Sequence, residues 1–350
     1  MTGQDARRRS ARTPDHGGPV TLRDVAMRAG VSVATVSLVV NGKTAARIGE
    51  GTRQRVQQAI NELGYRTNVT ARSLVSGQSG FIGLVSDAIS TTPFAGQIIR
   101  GAQQEAWKRG YALLVADTDA VPAVRDSAIQ MMVDHRASGI LYSTWYHRRV
   151  EPPTSLARIP TVFVNCFADG LASYSVIPDE EQGGRTATSL LLAKGHRRIA
   201  FINSTEDAPA TVGRLRGYTE ALREAGLHEA PELIFRTYPE QEGGYRAGSH
   251  LLSLAKPPTA VFCYNDRVAM GLYDRLKEAG LKIPRDMAVV GFDDQEVIAA
   301  HLRPPLTTIA LPHYAIGASG ARSLLERIEN QDVAFGVERV LCPPVIRDSL

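Results

Sequence analysis

From Phe81 onward the chain alternates short, apolar, β-rich runs with longer amphipathic stretches, and few folds accept that order. The apolar runs are Phe81–Val85, Tyr111–Ala116, Gly139–Tyr142, Thr161–Val164, Ile199–Ile202, Ala260–Cys263 and Ala288–Phe292. Between them, Gly96–Arg109, Val124–His135, Glu180–Ala193, Gly213–Ala225, Arg267–Ala279 and His313–Glu329 repeat apolar residues at helical spacing. A strand covered on both faces reads as a continuous apolar run, so this pattern predicts an α/β fold with parallel sheets between helices. Seven or more such units in about 270 residues suit two doubly wound lobes or one closed barrel.

The first part of the chain follows a different period. Residues 1–19 lack a hydrophobic pattern, carry the run Arg7-Arg8-Arg9, and are expected to form a disordered basic tail. Thr21 with Asp24 three residues on has the form of a capping box; Leu22, Val25, Ala26 and Ala29 then share a helical face, and Gly30 ends it. Ser32 can cap a second helix bearing Val33, Val36, Val39 and Val40, which Asn41-Gly42 terminates. A third helix, from about Thr52 to Leu63, places Val56, Ala59, Ile60 and Leu63 on one side. Two helices joined through only Gly30 and Val31 form a helix-turn-helix, in which the second helix enters the major groove of DNA.

Charge supports that reading. Residues 1–77 hold 12 Lys and Arg against 5 Asp and Glu, a net +7, while the remainder holds 28 against 31, a net −3. A basic surface confined to the first segment fits contact with a polyanion there alone. Three dispersed cysteines, Cys166, Cys263 and Cys342, show no metal-ligand spacing and are expected to be reduced thiols. No apolar run approaches the roughly 20 residues that span a bilayer, so the expectation is a cytoplasmic, nucleoid-associated protein with no membrane contact. There is no nucleophile motif, phosphate loop or metal cluster, and Asp293-Asp294 is a poor acid/base pair because adjacent residues at a strand end point apart. The expectation is therefore a non-enzyme without cofactor or metal.

The runs TLRDVAMRAGVSVATVSLVVNG, TRQRVQQAINELGY and NVTARSL, in that order, resemble the DNA-binding headpiece and hinge of the lactose-repressor family of bacterial regulators. The resemblance implies a helix-turn-helix domain over 20–66, a hinge helix and linker over 67–79, and an effector-binding and dimerisation domain over 80–350. By position, Ser32, Thr35 and Ser37 match the family's phosphate and base contacts, and Val33 and Ala34 its variable specificity positions. Asn41, Thr52 and Tyr65 match its backbone contacts, and Thr21, Asn68 and Ala71 are counted with them. Leu74 would be an apolar wedge intercalated at the operator centre, with Asn68–Ser73 as the hinge helix. The chain departs from the family at Leu38, where a polar reader is common, at Thr67, where Pro is common, and at Gly49, where Ser usually caps the third helix.

PFAGQIIRG, LLLAKGHRRIAFI, GRLRGYTEAL, YNDRVAMGLYDRL, IPRDMAVVGFDD and RPPLTTI extend the resemblance to Leu350. They imply a periplasmic-binding-protein-like domain, two doubly wound lobes joined by three crossovers, in place of the barrel. Ligands in open α/β sheets bind beyond the carboxyl ends of strands. That rule selects Ser143, Trp145, Asn165, Asn265 and Asp293, with Arg214 taken to open the GRLRGY helix and Asp294 to cap the helix after it. By resemblance, Arg214, Asn265 and Asp293 match the family's ligand-holding positions, joined by Asn165, Ser143, Thr92 and Phe94. An Arg fork, a carboxylate and a Trp face together suit a sugar or other polyol.

These readings converge on a homodimeric transcriptional regulator, most simply a repressor, that binds pseudo-palindromic double-stranded operator DNA under control of a small-molecule, carbohydrate-type effector. If Leu74 is the wedge, Leu74→Ala weakens operator binding more than random-duplex binding. Equal losses in parallel titrations of the two duplexes would remove that role.

Overall fold

The computed structural model describes residues 20–40, 48–65, 80–89, 95–169, 173–330 and 335–350. The chain divides into two compact units, residues 1–77 and 78–350. The basic tail, the 67–79 hinge, and the candidate residues Asn41, Asn68, Ala71, Leu74, Thr92 and Phe94 lie outside the described residues.

In the first unit, α1 (Leu22–Ala29), α2 (Val33–Val40) and α3 (Glu50–Leu63) share one small core of Val25, Ala26, Ala29, Val36, Val56 and Ala59. The capping box forms as its spacing predicts: the Asp24 amide donates to Thr21 Oγ1 at 3.4 Å, and the Thr21 amide donates to Asp24 Oδ2 at 2.8 Å. Gly30 stops α1 with φ +65°, a left-handed conformation that costs glycine little. Ser32 Oγ then accepts from the Thr35 amide at 3.1 Å and starts α2. Gly49 precedes α3 with no side-chain cap, so one orphan amide there lacks the usual partner.

The second unit is two open sheets, which excludes the barrel. The first-lobe elements are β1 (Phe81–Ser86), α4 (Ala95–Lys108), β2 (Ala112–Asp117), α5 (Pro122–Asp134), β3 (Ile140–Arg149), β4 (Thr161–Phe167) and β5 (Tyr174–Pro178). The chain then crosses through α6 (Glu180–Ala193) into the second lobe. There follow β6 (Ile199–Ser204), α7 (Pro209–Glu224), β7 (Ile234–Thr237), α8 (Gln241–Ser253), β8 (Ala260–Cys263), α9 (Asp266–Glu278), β9 (Ala288–Asp293) and β10 (Thr307–Ala310). It returns through α10 (His313–Glu329) to β11 (Gly336–Val340) and crosses a third time to β12 (Pro344–Val345). Strand orders are β2-β1-β3-β4-β5-β11 and β7-β6-β8-β9-β10-β12; every pair is parallel except β10 with β12. Both lobes reverse direction beside their first strand, the arrangement that opens a crevice at the carboxyl ends.

Several elements escape the apolar-run rule. In β5 the chain buries Ser175 among apolar neighbours, and β7 is a four-residue edge strand that is only partly buried. The α8 sequence carries Gly243-Gly244, poor for helix propensity, because a Cβ there would lie 2.0 Å from the carbonyl oxygens of Tyr238 and Val268. The strand β3 runs on to Arg149 past its expected end, and α7 begins at Pro209, so Arg214 sits inside that helix rather than at its opening.

Helices α6 and α7 meet backbone to backbone at Gly217, where a Cβ would come within 2.1 Å of the Glu181 carbonyl oxygen. Gly217→Ala therefore costs about 2–3 kcal/mol, since a helix must shift. Gly320→Ala, whose Cβ meets the Val164 side chain at 2.7 Å, costs less because a rotamer can yield. Urea midpoints of the two variants test the ranking.

Candidate functional site

On α2 the expected reading positions stand outward. Ser32, Val33 and Ala34 are exposed, Thr35 and Ser37 half-buried, and Val36 fills the core behind them. Ser32 and Thr35 also bond each other, Oγ to Oγ1 at 2.8 Å, so part of their hydrogen-bonding capacity already serves the helix start. Thr52 is half-buried on α3, Tyr65 packs against the headpiece core, and Thr21 is spent on its cap.

In the second unit a cavity of about 240 Å³ opens between the lobes. Trp145, Asn165, Arg214, Asn265 and Asp293 all line it, and Ser143 lies buried in β3 outside that lining. Tyr146, His147, Glu180, Tyr238, Tyr264, Arg267, Gln295 and His313 complete much of the wall. A larger open groove of about 1010 Å³ beside α5 is lined by exposed residues such as Asp126, Gln130 and Glu151, without convergent buried groups.

The floor is organised around Arg214, whose side chain is 4% exposed. Its Nε donates to Glu180 Oε2 at 2.8 Å, one terminal nitrogen donates to the Tyr264 carbonyl, and the same nitrogen lies 3.6 Å from Asp293 Oδ1. The guanidinium carbon stands 3.7 Å from the centre of the Phe292 ring and 4.6 Å from that of Tyr264. Burial opposes ionisation of Glu180, yet Arg214 and His147 hold its carboxyl down at about 2. At Asp293 burial prevails over Arg214 and pushes the carboxyl up to about 6. Burial also lowers His313 to about 4.

The other lining groups are placed by local bonds. Asp87, at the end of β1, accepts from the Trp145 amide at 2.9 Å and from an Arg148 terminal nitrogen at 2.5 Å, which fixes the tail of β3. Asn165 donates to the Thr144 carbonyl at 3.0 Å, and Thr144 Oγ1 donates back to the Asn165 carbonyl at 3.0 Å. Asn265 caps α9 by accepting from the Val268 amide at 2.9 Å and donates to the Pro239 carbonyl at 2.9 Å. Gln295 donates to Asp293 Oδ2 at 3.0 Å. Asp294 caps no helix; it turns away and pairs with Arg347 at 2.7 Å, so the adjacent carboxylates do point apart. Asn165 holds φ +59°, a left-handed conformation Asn tolerates, and Asp293 holds φ +103°, strained for a residue other than glycine.

Glu180 and His147 were missed by strand-end reasoning for a simple cause. Glu180 lies one residue past β5, a strand the apolar-run rule does not register, with Asp179 capping the helix it opens, and His147 lies on the unanticipated extension of β3. His147 Nδ1 is 3.4 Å from Glu180 Oε1, a contact from the first lobe to the crossover helix. Its Nε2 is buried and has no partner among the described residues. An unmet buried polar atom costs about 1–3 kcal/mol.

A helix-turn-helix unit followed by a two-lobed α/β domain with a polar cavity at its strand ends defines a DNA-binding regulator of transcription. Residues 21–68 match the bacterial regulatory proteins of the lacI family, and residues 188–350 match the periplasmic binding protein-like domain. The chain is 35% identical over 314 residues to the transcriptional repressor PurR of Vibrio atlanticus, covering 89% of this chain and 93% of that protein. It is 34% identical over 332 residues to the repressor CytR of Escherichia coli K12, covering 94% and 96%. Among solved structures, the lac repressor dimer bound to operator and the anti-inducer ONPF matches with a TM-score of 0.76 at 27% identity, covering 95% of this chain and 99% of that one. The complex of the regulator CelR with cellobiose matches with a TM-score of 0.66 at 30% identity, covering 95% and 100%. The chain belongs to the lacI family of bacterial regulatory proteins.

The raised Asp293 carboxyl has a consequence for stability. Its folded value, about 6, lies above the unfolded reference of about 3.9, so protonated Asp293 stabilises the fold fully at low pH and that contribution disappears as pH rises through 6. Asn, which tolerates positive φ, removes this dependence. Relative to wild type, Asp293→Asn gains thermal stability steadily from pH 4 to pH 7. A wild-type-to-variant difference in Tm that stays constant over that range contradicts the burial-dominated site.

Proposed function

We propose that the protein is a sequence-specific transcriptional repressor whose operator affinity is set by an uncharged, hydroxyl-rich effector, a sugar or sugar derivative, held between the lobes. The observation that carries this reading is the internal neutralisation of the cavity. Arg214 is already matched by Glu180 and Asp293, and Arg267 by Glu240 at 2.7 Å, so among the described lining residues a phosphate or carboxylate finds no uncommitted arginine. With His313 held down by burial, it adds no positive charge at neutral pH. A neutral ligand avoids the repulsion of these carboxylates and can share hydrogen bonds with both signs of group. The half-buried Trp145 and Tyr146 offer flat apolar faces for a sugar ring or a nucleoside base.

The mechanism is linkage. Two headpieces of a homodimer engage half-sites of a pseudo-palindrome, and an effector that prefers one lobe arrangement shifts the balance between DNA-binding and non-binding states. Coupling of this kind typically amounts to about 1–3 kcal/mol. The protein acts at the nucleoid in the cytoplasm and performs no catalysis on its ligand.

Two measurements test the proposal. Duplexes selected from a random pool are expected to converge on a pseudo-palindrome. Thermal unfolding across neutral sugars, sugar phosphates and nucleosides should then find a compound that stabilises the wild type, by about 2.7 kcal/mol at 100 times its dissociation constant, and less so in Trp145→Ala. Stabilisation by phosphorylated compounds alone would defeat the neutral-ligand reading, and turnover of a bound sugar would defeat the non-enzyme reading.

A further inference from the structure

We infer that His147 is a specificity-determining contact of the effector, with its Nε2 meeting a hydroxyl of an uncharged ligand. This rests on the reading of the interlobe cavity as the effector site.

The ring is held on several sides. Asp87 anchors the backbone of Trp145 before it and the side chain of Arg148 after it. Nδ1 faces Glu180 Oε1 at 3.4 Å, and the Phe167 ring packs edge-on with centroids 5.9 Å apart. Glu180 is itself bound to Arg214, so the carboxylate cannot follow the ring if it swings away. A carboxylate at Nδ1 places the proton there, and Nε2 of the neutral ring becomes an acceptor.

The other polar groups of the wall are largely committed. Asn165, Asn265, Arg214, Arg267 and Gln295 each bond protein partners. His147 lines the cavity, and its Nε2, shielded from solvent in the free protein, has no partner among the described residues, so a ligand hydroxyl meets it as the ring or the lobes adjust around the ligand. A ligand hydroxyl both donates and accepts, and so satisfies Nε2 whether the imidazole is neutral or charged. An ether or carbonyl oxygen satisfies only the charged form.

Calorimetric titration tests this with wild type, His147→Phe and His147→Gln against neutral mono- and disaccharides including cellobiose, their monodeoxy analogues, and hexose 6-phosphates. A neutral sugar is expected to bind wild type and to bind His147→Phe about ten-fold more weakly, the scale of one hydrogen bond. His147→Gln, with an amide near the position of Nε2, should recover part of that loss. One monodeoxy analogue should lose about the same factor against wild type and little further against His147→Phe, the signature of a shared contact. Should His147→Phe fail the circular dichroism check for folding, the deoxy series on wild type and His147→Gln carries the comparison. Equal affinities in the three proteins, or a deoxy penalty equal in wild type and variants, overturn the assignment. Preference for a hexose 6-phosphate over the hexose overturns its uncharged-ligand part. If no compound binds wild type, the cavity reading itself falls and the assignment with it.

Discussion

A guanidinium taken out of water must be compensated where it lies, and Arg214 makes that requirement the organising constraint of the second unit. Removing an ion from solvent costs several kcal/mol even after relaxation, so a buried arginine survives only with close, well-directed partners. The partners here come from different parts of the chain: Glu180 from the first turn of the crossover helix, Asp293 from the end of β9, and the Tyr264 carbonyl from the end of β8. Satisfying one side chain thus brings a lobe crossover and two strand ends to one point. The Phe292 and Tyr264 rings, packed against the guanidinium, add attraction that needs no further charge.

The same constraint explains why the site is held together without being optimised for stability. Two carboxylates share one arginine, and the two respond differently. Glu180, with Arg214 and His147 both against it, stays ionised far below neutrality, while Asp293 is left undercompensated by the 3.6 Å separation. Its positive φ adds backbone strain of order 1–3 kcal/mol at the same residue. A ligand that hydrogen-bonds Asp293 relieves part of an unfavourable term already present in the free protein, which is one way a modest contact can bias a lobe equilibrium.

How far the sequence reveals this depends on what kind of signal each part leaves. Strands buried on both faces announce themselves as apolar runs, and Ala260–Cys263 is read to the residue, as are the helices Glu180–Ala193 and His313–Glu329. Edge and crossover elements leave weaker marks: β7 is four residues, and β5 contains a buried serine that only its neighbours make acceptable. The site follows the same division. Asn265 and Asp293 lie just past or at the ends of legible strands, and Asn165 follows the apolar run of β4, which continues to Phe167; the strand-end rule finds all three. Glu180 opens a legible helix but follows a strand that is not, and His147 sits on an unread extension of β3; their importance arises from each other, a contact between residues 33 positions apart that no local pattern encodes. Arg214 is legible as a residue but misplaced within its helix, because α7 starts on Pro209 after Ala208 without a side-chain cap.

On the DNA side the economy is the reverse. The outward face of α2 offers Ser32, Val33 and Ala34, side chains too short or too apolar for the bidentate pairs worth about 1–3 kcal/mol each in base discrimination. Val33, 45% exposed, can pack on a thymine methyl but offers no hydrogen bond. The net +7 of residues 1–77 supplies sequence-independent attraction to phosphate, which sets affinity and register more than choice of base. In the proposed homodimer, discrimination then comes from weak contacts summed over two half-sites and from the deformability of the DNA between them. A regulator built this way needs only a small conformational bias to leave its operator. In the proposed reading, the couplings of about 1–3 kcal/mol typical of effector linkage are of the size that such a bias requires.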